Sequence, residues 1–413
     1  MLLKIDIKAL MNNMLSLNRR QFLKMLPGTS ALAFPANSLF AQNRSSGLRV
    51  TGISVTVVNV TLRTNWILVQ LQTNQGITGL GEASLGSRTS LPELREFFEL
   101  TRDSSPFAIA QFRQQGFARL AGQNRARATA FSAIEQALWD ICGKALEIPV
   151  YQFFGGKLHD RLSVYANINR ATAQRTPEGF AANAVAAATD GFKALKAAPF
   201  DGFPALDAPA QEITRATDLG IAAVYAMRDA VGPDIAIKID AHSFFDVDLA
   251  IEVANQLDGA NLSWYEEPVA PTLLEQTVAI KNSIKQVMAG GEFLFGREGF
   301  RDLIVRRAVD IIMPDIKHCG GAQELIQIAT MAESFGVMVS PHNPSGPIST
   351  AASASLCAAM PNFDILEFQW GEADWRSGLL QPAEQINNGL LPVSDAPGWG
   401  ITLNQALLDS HLI

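Results

Sequence analysis

Three successive apolar runs in this chain end in carboxylates, and this arrangement constrains the fold more than any other feature. The runs end at Asp240, at the pair Glu266-Glu267 and at Glu292. Their spacing of about 25 residues is the length of one strand-plus-helix unit in a (β/α)₈ barrel, where the carboxyl ends of parallel strands converge at one mouth. Three negative charges there repel one another unless a hard cation holds them, and Mg²⁺ suits such an oxygen cage. The alternative is that the three acids are solvated helix N-caps.

Eight apolar runs follow one another from residue 164 onward, and their repetition predicts a parallel barrel. The predicted strands are Val164–Ile168, Ala194–Ala198, Ile235–Asp240, Leu262–Glu266, Val287–Glu292, Ile311–Asp315, Val337–His342 and Asp364–Phe368. Amphipathic stretches typical of helices separate them. The long second interval contains a Pro/Gly-rich segment, Pro199 to Pro209, which we interpret as a substrate-facing loop or a plain exposed insertion. A doubly wound open sheet is the competing fold, but it seldom carries eight such units with polar residues at nearly every strand end.

Polar side chains at these strand ends are the candidates for a catalytic site, because barrel enzymes react at the carboxyl ends of their strands. Asp240 and His242 are two residues apart and point the same way while the chain stays extended. Asp315 and His342 end adjacent strands, where the carboxylate can fix the tautomer of the imidazole and raise its basicity. Glu367 could donate to a developing oxyanion if it stays protonated. The remaining candidates are Lys196, Glu266 and Glu292.

A capping domain of the α+β class is predicted over residues 49–163, before a barrel domain over 164–370. Two segments of period-two alternation, Leu48–Val60 and Trp66–Gln72, are predicted strands, and the turn Asn74-Gln75-Gly76 leads to a third. From Ser90 to Leu146 the pattern is helical. Three strands followed by helices are typical of an α+β module.

The amino terminus has the layout of a twin-arginine export signal. Arg19-Arg20 precedes a modestly apolar stretch from Met25 to Phe40, with Ala41 at its exit. The stretch is interrupted by prolines and is too short to span a bilayer as a helix. A disordered basic tail is the alternative. We therefore expect residues 1–41 to direct the folded protein through the twin-arginine machinery to the periplasm, without a stable membrane anchor.

Composition limits the classes of partner. The 413 residues carry a formal net charge of −7, so nucleic acid is not an expected partner. Hydrophobic residues make up 48% of the chain and charged residues 18%, as in a compact protein with a large core. Further copies of the chain, in a homo-oligomer, are the expected macromolecular partners.

Four motifs occur in an order that resembles the enolase superfamily. They are Tyr-Glu-Glu-Pro, Ala-Gly-Gly-Glu, Pro-Asp-Ile-Lys-His-Cys-Gly-Gly and Ser-Pro-His-Asn-Pro-Ser-Gly-Pro. The resemblance covers residues 49 to 413 and is closest to the mandelate racemase/muconate lactonizing enzyme family, especially its acid-sugar dehydratases of the galactonate type. The motifs are highly specific to the superfamily and less specific to any one substrate.

The resemblance implies a cofactor and a set of roles. Mg²⁺ would be held by Asp240, Glu266 and Glu292 and would bind the carboxylate of the substrate. The proton α to that carboxylate would be removed by His342, oriented by Asp315, and the enediolate would be stabilised by the metal, Lys196 and Glu367. The cap would close over the barrel mouth through loops around Gly81 to Thr89, including Arg88. The segment 371–413 would return to the cap.

One departure from the family separates two reactions. Racemases of this subgroup carry two lysines separated by one residue on the second strand, and the matching positions here are Lys196 and Ala198. His242, by contrast, matches the general acid of the acid-sugar dehydratases. The resemblance therefore implies β-elimination of water from an aldonate or aldarate to a 2-keto-3-deoxy acid, with a racemase or epimerase as the alternative. A non-catalytic sugar-acid-binding protein is less expected because the ligand, base and electrophile positions are all filled.

His318 is either an auxiliary polar contact or a supporting residue.

Overall fold

The computed structural model describes residues 47–61, 64–84, 91–120 and 124–412. The predicted export signal, residues 1–41, and the part of the predicted cap loop that contains Arg88 lie outside these residues. Gly81, which we placed in that loop, belongs instead to a strand. In the described ranges, no helix is both long and apolar enough to cross a membrane.

The cap is an antiparallel three-stranded sheet covered by helices. Its strands are β1 (Val50–Asn59), β2 (Asn65–Thr73) and β3 (Thr78–Ala83), and its helices are α1 (Leu91–Glu99), α2 (Ile109–Phe117) and α3 (Arg125–Leu146). Helix α3 lies so close to β3 that a Cβ at Gly79 would be 2.0 Å from the carbonyl oxygen of Ala137, and one at Gly81 would be 2.1 Å from that of Ala133. Glycine is therefore required at both positions for the helix to pack on the sheet.

Eight parallel strands form the second sheet, and each overlaps one of the predicted apolar runs. They are β4 (Arg161–Asn167), β5 (Ala194–Ala197), β6 (Ala236–Asp240), β7 (Trp264–Glu266), β8 (Met288–Gly290), β9 (Ile311–Ile312), β10 (Met338–Val339) and β11 (Leu366–Gln369). Neighbours follow chain order from β4 to β10, and β11 returns to pair with β4. A parallel bridge between Val339 and Phe363 links the two ends of the sheet. The sheet is thus curled into a barrel, and the predicted fold class is confirmed.

Seven helices connect the barrel strands. They are α4 (Pro177–Thr189), α5 (Ala210–Val231), α6 (Val247–Gln256), α7 (Leu274–Ser283), α8 (Gly296–Val305), α9 (Gly321–Glu333) and α10 (Pro347–Cys357). Because side chains alternate along a strand, Trp264 lies on the same face of β7 as Glu266, and Tyr165 on the same face of β4 as Asn167. Trp264 and Tyr165 are fully buried and meet edge to face, with ring centroids 5.3 Å apart. Aromatic rings therefore fill the barrel beneath the polar residues at its mouth.

The C-terminal segment contacts both the barrel and the cap. It comprises β12 (Leu380–Gln381), β13 (Leu390–Pro392), β14 (Thr402–Leu403) and α11 (Gln405–Asp409), and β13 pairs antiparallel with β4. Leu412 forms a bridge with Val58 of β1, and Trp375 meets Trp66 of β2 with ring centroids 5.4 Å apart. The segment therefore joins the two parts of the molecule.

Two buried carboxylates of the cap reach across to barrel helices. Glu82, at the end of β3, accepts hydrogen bonds from Gly346 N (2.7 Å) and Ser349 N (3.0 Å) at the start of α10. Glu135 of α3 accepts one from Ala322 N (2.7 Å) at the start of α9. Unpaired N–H groups and a partial positive charge at a helix N-terminus favour such acceptors. The cap is therefore fixed to the helices that follow β9 and β10.

Candidate active site

Asp240, Glu266 and Glu292 come together at the mouth of the barrel. Asp240 and Glu266 end β6 and β7 and are direct partners in the strand register, and Glu292 follows β8 by two residues. One oxygen of each carboxylate lies within 4.8 Å of the others. Their exposed fractions are only 1%, 0% and 5%. The three acids whose spacing suggested a metal site thus form one buried cluster that could hold a metal ion.

The cluster has the properties of a cation site. Within the described part of the chain, Asp240 Oδ2 and Glu292 Oε2 are buried and accept no well-formed hydrogen bond. Lys196 Nζ and His242 Nε2 nevertheless lie 3.0 Å and 3.1 Å from Asp240 Oδ2, and His342 Nε2 lies 3.0 Å from Glu292 Oε2. Burial and the neighbouring charge of Asp240 raise the pKa of Glu266 well above its usual range. Oxygen donors with unused lone pairs suit a hard divalent cation. The residues present therefore fit a metal such as Mg²⁺.

Glu267, the second acid of the pair, is directed elsewhere. Its carboxylate accepts a hydrogen bond from Gly291 N at 2.7 Å, and burial together with Glu292 raises its pKa to about 7. Glu267 therefore supports the backbone beside Glu292 and lies outside the three-carboxylate cluster.

His342 and Asp315 form the predicted dyad. They follow the short strands β10 and β9, and His342 Nδ1 lies 2.8 Å from Asp315 Oδ2. Since the carboxylate accepts, Nδ1 carries the hydrogen, and Nε2 faces Glu292 Oε2 at 3.0 Å. Burial lowers the pKa of His342, but the carboxylates of Glu292, Glu367 and Asp315 outweigh it and raise this pKa to about 10. The Nε2 atom of His342 is thus directed at the carboxylate cluster.

Lys196 is held among carboxylates. Its ammonium lies 3.0 Å from Asp240 Oδ2 and 3.7 Å from Glu367 Oε1, and it forms an ion pair with Glu266. Burial lowers the pKa of Lys196, but these acids outweigh it and raise the pKa well above its usual range. Lys196 therefore carries a positive charge beside the cluster.

Glu367 is fully buried and accepts hydrogen bonds on both oxygens. Asn167 Nδ2 donates to Oε1 and Asn343 N donates to Oε2, each at 2.7 Å. The sequence did not point to either asparagine, because neither lies in a recognisable charge pattern. Donation from Glu367 to an oxyanion, the role proposed from the sequence, requires a proton on one of these oxygens.

His242 reaches the cluster by a different route from the one predicted. The chain does not stay extended after β6, because His242 has a φ of 46°, in the left-handed region. Its Nε2 nevertheless lies 3.1 Å from Asp240 Oδ2, and its Nδ1 is hydrogen-bonded to Asp201. Burial lowers the pKa of His242, but Asp240 and Asp201 outweigh it and raise this pKa to about 11. His242 is therefore also an imidazole held by an aspartate beside the cluster.

Two cavities meet at the barrel mouth and share Asp201. The first, of about 690 Å³, is called the metal-side cavity here, and its lining includes His242, Glu267, Glu292 and Arg125. The second, of about 780 Å³, is called the distal cavity and lies between the cap and the barrel. Its lining includes Trp66, Glu82, Ser84, Asn169, Arg170 and Lys317. Together the two cavities border the carboxylate cluster on one side and the cap on the other.

Residue 198 on the second barrel strand, where the racemases of this subgroup carry a lysine, is an alanine without a side-chain acid or base. Ala198 is almost fully buried, and its carbonyl oxygen accepts a hydrogen bond from Arg175. Lys193 is exposed at the opposite end of β5 from the site.

His318 is buried beside the Asp315–His342 dyad. Its Nε2 lies 3.4 Å from Ser84 Oγ and 3.8 Å from Asp315 Oδ2, so it lies next to the aspartate of the dyad.

Sequence reasoning also missed Asp201, Lys317 and Glu82. Lys317 follows Asp315 by two residues but lies in a turn beyond the predicted strand, so strand alternation does not indicate where its side chain points. Asp201 lies in the segment Pro199 to Pro209, predicted as a substrate-facing loop or an exposed insertion, where no pattern distinguishes one residue from another. The contacts of Glu82 join residues more than 260 positions apart, and no local pattern records such a pairing.

Comparisons with known proteins identify the family. Residues 179–407 match the model described as enolase C-terminal domain-like, and residues 48–155 match the N-terminal domain of mandelate racemase/muconate lactonizing enzyme. The chain belongs to the mandelate racemase/muconate lactonizing enzyme family of the enolase superfamily, as its motifs indicated.

Relatives and solved structures agree with this assignment. D-xylonate dehydratase of Haloferax volcanii is 31% identical over 92% of this chain and 93% of its own length. D-gluconate dehydratase of Thermoproteus tenax is 31% identical over 84% of this chain and 69% of its own length. The structure of a mandelate racemase/muconate lactonizing enzyme from Jannaschia sp. CCS1 covers 88% of this chain and 98% of that chain, with a TM-score of 0.79 at 28% identity. The protein is an enzyme of the lyase class, a hydro-lyase of this superfamily.

Proposed function

We propose that the protein dehydrates a sugar acid, an aldonate or aldarate, in a Mg²⁺-dependent reaction that yields a 2-keto-3-deoxy acid. One observation carries this proposal: two histidines, each held by its own aspartate, contact the carboxylate cluster at different members. His342 faces Glu292 at 3.0 Å, and His242 faces Asp240 at 3.1 Å. Loss of water across two adjacent carbons needs a base for one carbon and an acid for the oxygen on the next.

The first step is removal of the proton α to the carboxylate of the substrate. Held by Asp240, Glu266 and Glu292, Mg²⁺ would supply positive charge to that carboxylate. With the charge of Glu292 offset by the bound cation, the pKa of His342 would fall, because Glu292 is the main charge that raises it. The neutral His342 then takes the α-proton on Nε2, and Asp315 stabilises the imidazolium that forms. The ammonium of Lys196 lies beside the cluster and stabilises the negative charge of the enediolate. Glu367, when protonated, donates to the same charge.

The second step is departure of the β-hydroxyl. His242 gives its proton to the oxygen on carbon 3 as the carbon–oxygen bond breaks and the electron pair of the enediolate forms the new double bond. Water leaves, and the resulting enol takes up a proton on carbon 3 to become the 2-keto-3-deoxy acid. Asp201 binds Nδ1 of His242. Nε2 is therefore the nitrogen that gives its proton to the departing hydroxyl.

Racemisation fits this site less well. A racemase needs an acid on the opposite face of the same α-carbon, and Ala198 has no group to supply one. Lys193 is too far along the strand, at the exposed end of β5. A sugar-acid-binding protein without catalysis would have no use for the dyads at His342 and His242.

Turnover of an acid-sugar library tests the proposal. We expect the purified protein with Mg²⁺ to convert at least one aldonate or aldarate to a 2-keto acid, detected by semicarbazone absorbance. Chelation should abolish turnover, because without the cation the enediolate charge is not stabilised, and added Mg²⁺ should restore it. Absence of a keto acid from every sugar acid, or full activity after exhaustive chelation, would contradict the proposal.

We also propose that the protein is exported to the periplasm by the twin-arginine route, on the evidence of Arg19-Arg20 and the stretch that follows. Cells that express the full-length chain should contain the mature protein, cleaved near Ala41, in the periplasmic fraction. The double variant Arg19→Lys/Arg20→Lys should stay in the cytoplasm. Equal periplasmic amounts of the two proteins would rule out this route.

A further inference from the structure

We propose that Lys317 selects substrates that carry a second carboxylate at the end distant from the reacting carbon, so that the preferred sugar acid is an aldarate. This inference rests on the proposed function and names its substrate class. It starts from a lysine that the catalytic steps do not use.

Lys317 lies in the distal cavity, two residues beyond Asp315. The residue is 6% exposed, and it is one of the residues that line this cavity. Its backbone N–H donates to Asp315 Oδ1 at 2.7 Å, which fixes the start of the side chain beside the catalytic dyad. In the described ranges of the chain, no hydrogen bond or ion pair reaches the ammonium itself. The ammonium therefore has three donors to offer to an anionic ligand or to water in the cavity.

The other charged groups of the distal cavity already have partners. Arg170 pairs with Glu372 at 2.7 Å, and Arg175 lies 3.3 Å from Asp201. Each of these cations is therefore balanced by an acid of the protein. Lys317 is the cation of this lining, among the described residues, that lacks such an ion pair.

Two acids attract Lys317, namely Asp315 and Glu82, and both are engaged elsewhere. Asp315 accepts from His342 Nδ1 and from the backbone N–H of Lys317. Both oxygens of Glu82 accept backbone hydrogen bonds at the start of α10, from Gly346 and Ser349. Burial raises the pKa of Glu82 even though Lys317 and these bonds lower it. The two side chains attract each other without forming an ion pair, so the ammonium remains available to a ligand in the cavity.

The position of the cavity defines which part of the substrate meets Lys317. The reacting end is held in the metal-side cavity, where Glu292 and His242 form part of the lining. Asp201 lines both cavities, so an extended acid that passes Asp201 enters the distal cavity. An anionic far end would form a charge-assisted hydrogen bond with Lys317, whereas the neutral hydroxymethyl end of an aldonate would leave its charge unbalanced.

Selectivity between matched acids tests the inference. Galactarate with galactonate, and glucarate with gluconate, differ only at the far carbon. We expect the wild type to favour the aldarate of a pair in kcat/KM, and Lys317→Met to lower the aldarate/aldonate ratio by about 10- to 100-fold, the range for loss of a hydrogen bond to a charged group. Lys317→Arg keeps the charge and should retain most of the preference. Lys193→Met, at an exposed lysine on the opposite end of β5, should leave the ratio unchanged.

A binding measurement separates failure of this inference from failure of the proposed function. In a His342→Asn background, which prevents turnover, calorimetry with Mg²⁺ present should show tighter binding of galactarate than of galactonate, and Lys317→Met should remove the difference. Circular dichroism and the thermal midpoint confirm that each variant is folded. Equal affinity for the two acids, or a preference that Lys317→Met leaves within threefold, would overturn the inference even if the enzyme dehydrates aldonates. Absence of dehydration with retained galactarate selectivity would overturn the proposed function alone.

Discussion

At the residue scale, the site is built from two aspartate–histidine pairs whose members come from different loops. Asp315 holds His342 from the neighbouring strand end, a relation that the order of the strands predicts. Asp201 holds His242 from the loop after β5, a relation that depends on how that loop folds back over the mouth. The first pair could therefore be predicted from the sequence, whereas the second could not.

Substitution of Asp201 should weaken the acid without removing the base. In Asp201→Asn the imidazole of His242 loses its charged partner and its fixed orientation, and we expect kcat for dehydration to fall by about 10- to 100-fold. Exchange of the α-hydrogen with deuterated solvent, which depends on His342, should continue. Asp207→Asn, at an exposed position of the same loop, is the control. Equal kcat values for Asp201→Asn and the wild type would show that Asp201 has no part in catalysis.

At the scale of single elements, the loop that carries His342 is held from two sides. Glu82 of the cap accepts from two N–H groups at the start of α10. Arg376, from the C-terminal segment, donates to the carbonyl of Ser345 and to Thr350 Oγ1. Because the buried Glu82 carboxylate and the buried Arg376 guanidinium both fix the start of this helix, the residues just before it have little freedom to move. The position of the His342 imidazole thus depends on the cap and on the C-terminal segment as well as on the barrel.

Substitution of Glu82 should show how much this contact stabilises the molecule. Glutamine can accept through only one of its two terminal atoms, so Glu82→Gln leaves a buried N–H group at the start of α10 without its acceptor. We expect the free energy of unfolding to fall by about 1–3 kcal/mol, measured by chemical denaturation. Glu333→Gln, at an exposed site on α9, should change it by less than about 0.5 kcal/mol. A Glu82→Gln protein as stable as the wild type would show that the contact adds nothing to stability.

The predicted strands differ from the observed ones mainly in length. The apolar runs located all eight barrel strands, because most residues of these runs are buried in the barrel. The hydrogen-bonded parts are shorter, however, and β9 and β10 comprise only two residues each. Asp315 and His342 lie beyond these strands, where the backbone leaves the sheet toward the mouth. Apolar periodicity records burial and not hydrogen bonding, so it overestimates strand length at the functional end of a barrel.

At the scale of the whole molecule, cap, barrel and C-terminal segment enclose one site. The apolar runs and the motifs predicted the barrel, because each motif lies at a strand end that must face the mouth. Alternation followed by a helical pattern predicted the cap. The distal cavity could not be predicted, because it is formed by Trp66 and Glu82 of the cap facing Asn169 and Lys317 of the barrel. These residues lie far apart along the chain, and their meeting depends on how the cap docks.

The most direct test of the central claim follows the α-hydrogen and the β-hydroxyl separately in deuterated solvent. With a sugar acid that the wild type converts to a 2-keto-3-deoxy acid, His342→Asn should lose both α-hydrogen exchange and turnover, because the base is absent. His242→Asn should lose dehydration by about 100-fold or more while it still exchanges the α-hydrogen, since proton removal precedes loss of the hydroxyl. Nuclear magnetic resonance of the recovered acid and semicarbazone absorbance of the product measure the two events. Dehydration by His242→Asn at the wild-type rate, or interconversion of stereoisomers by the wild type without a keto acid, would contradict the account.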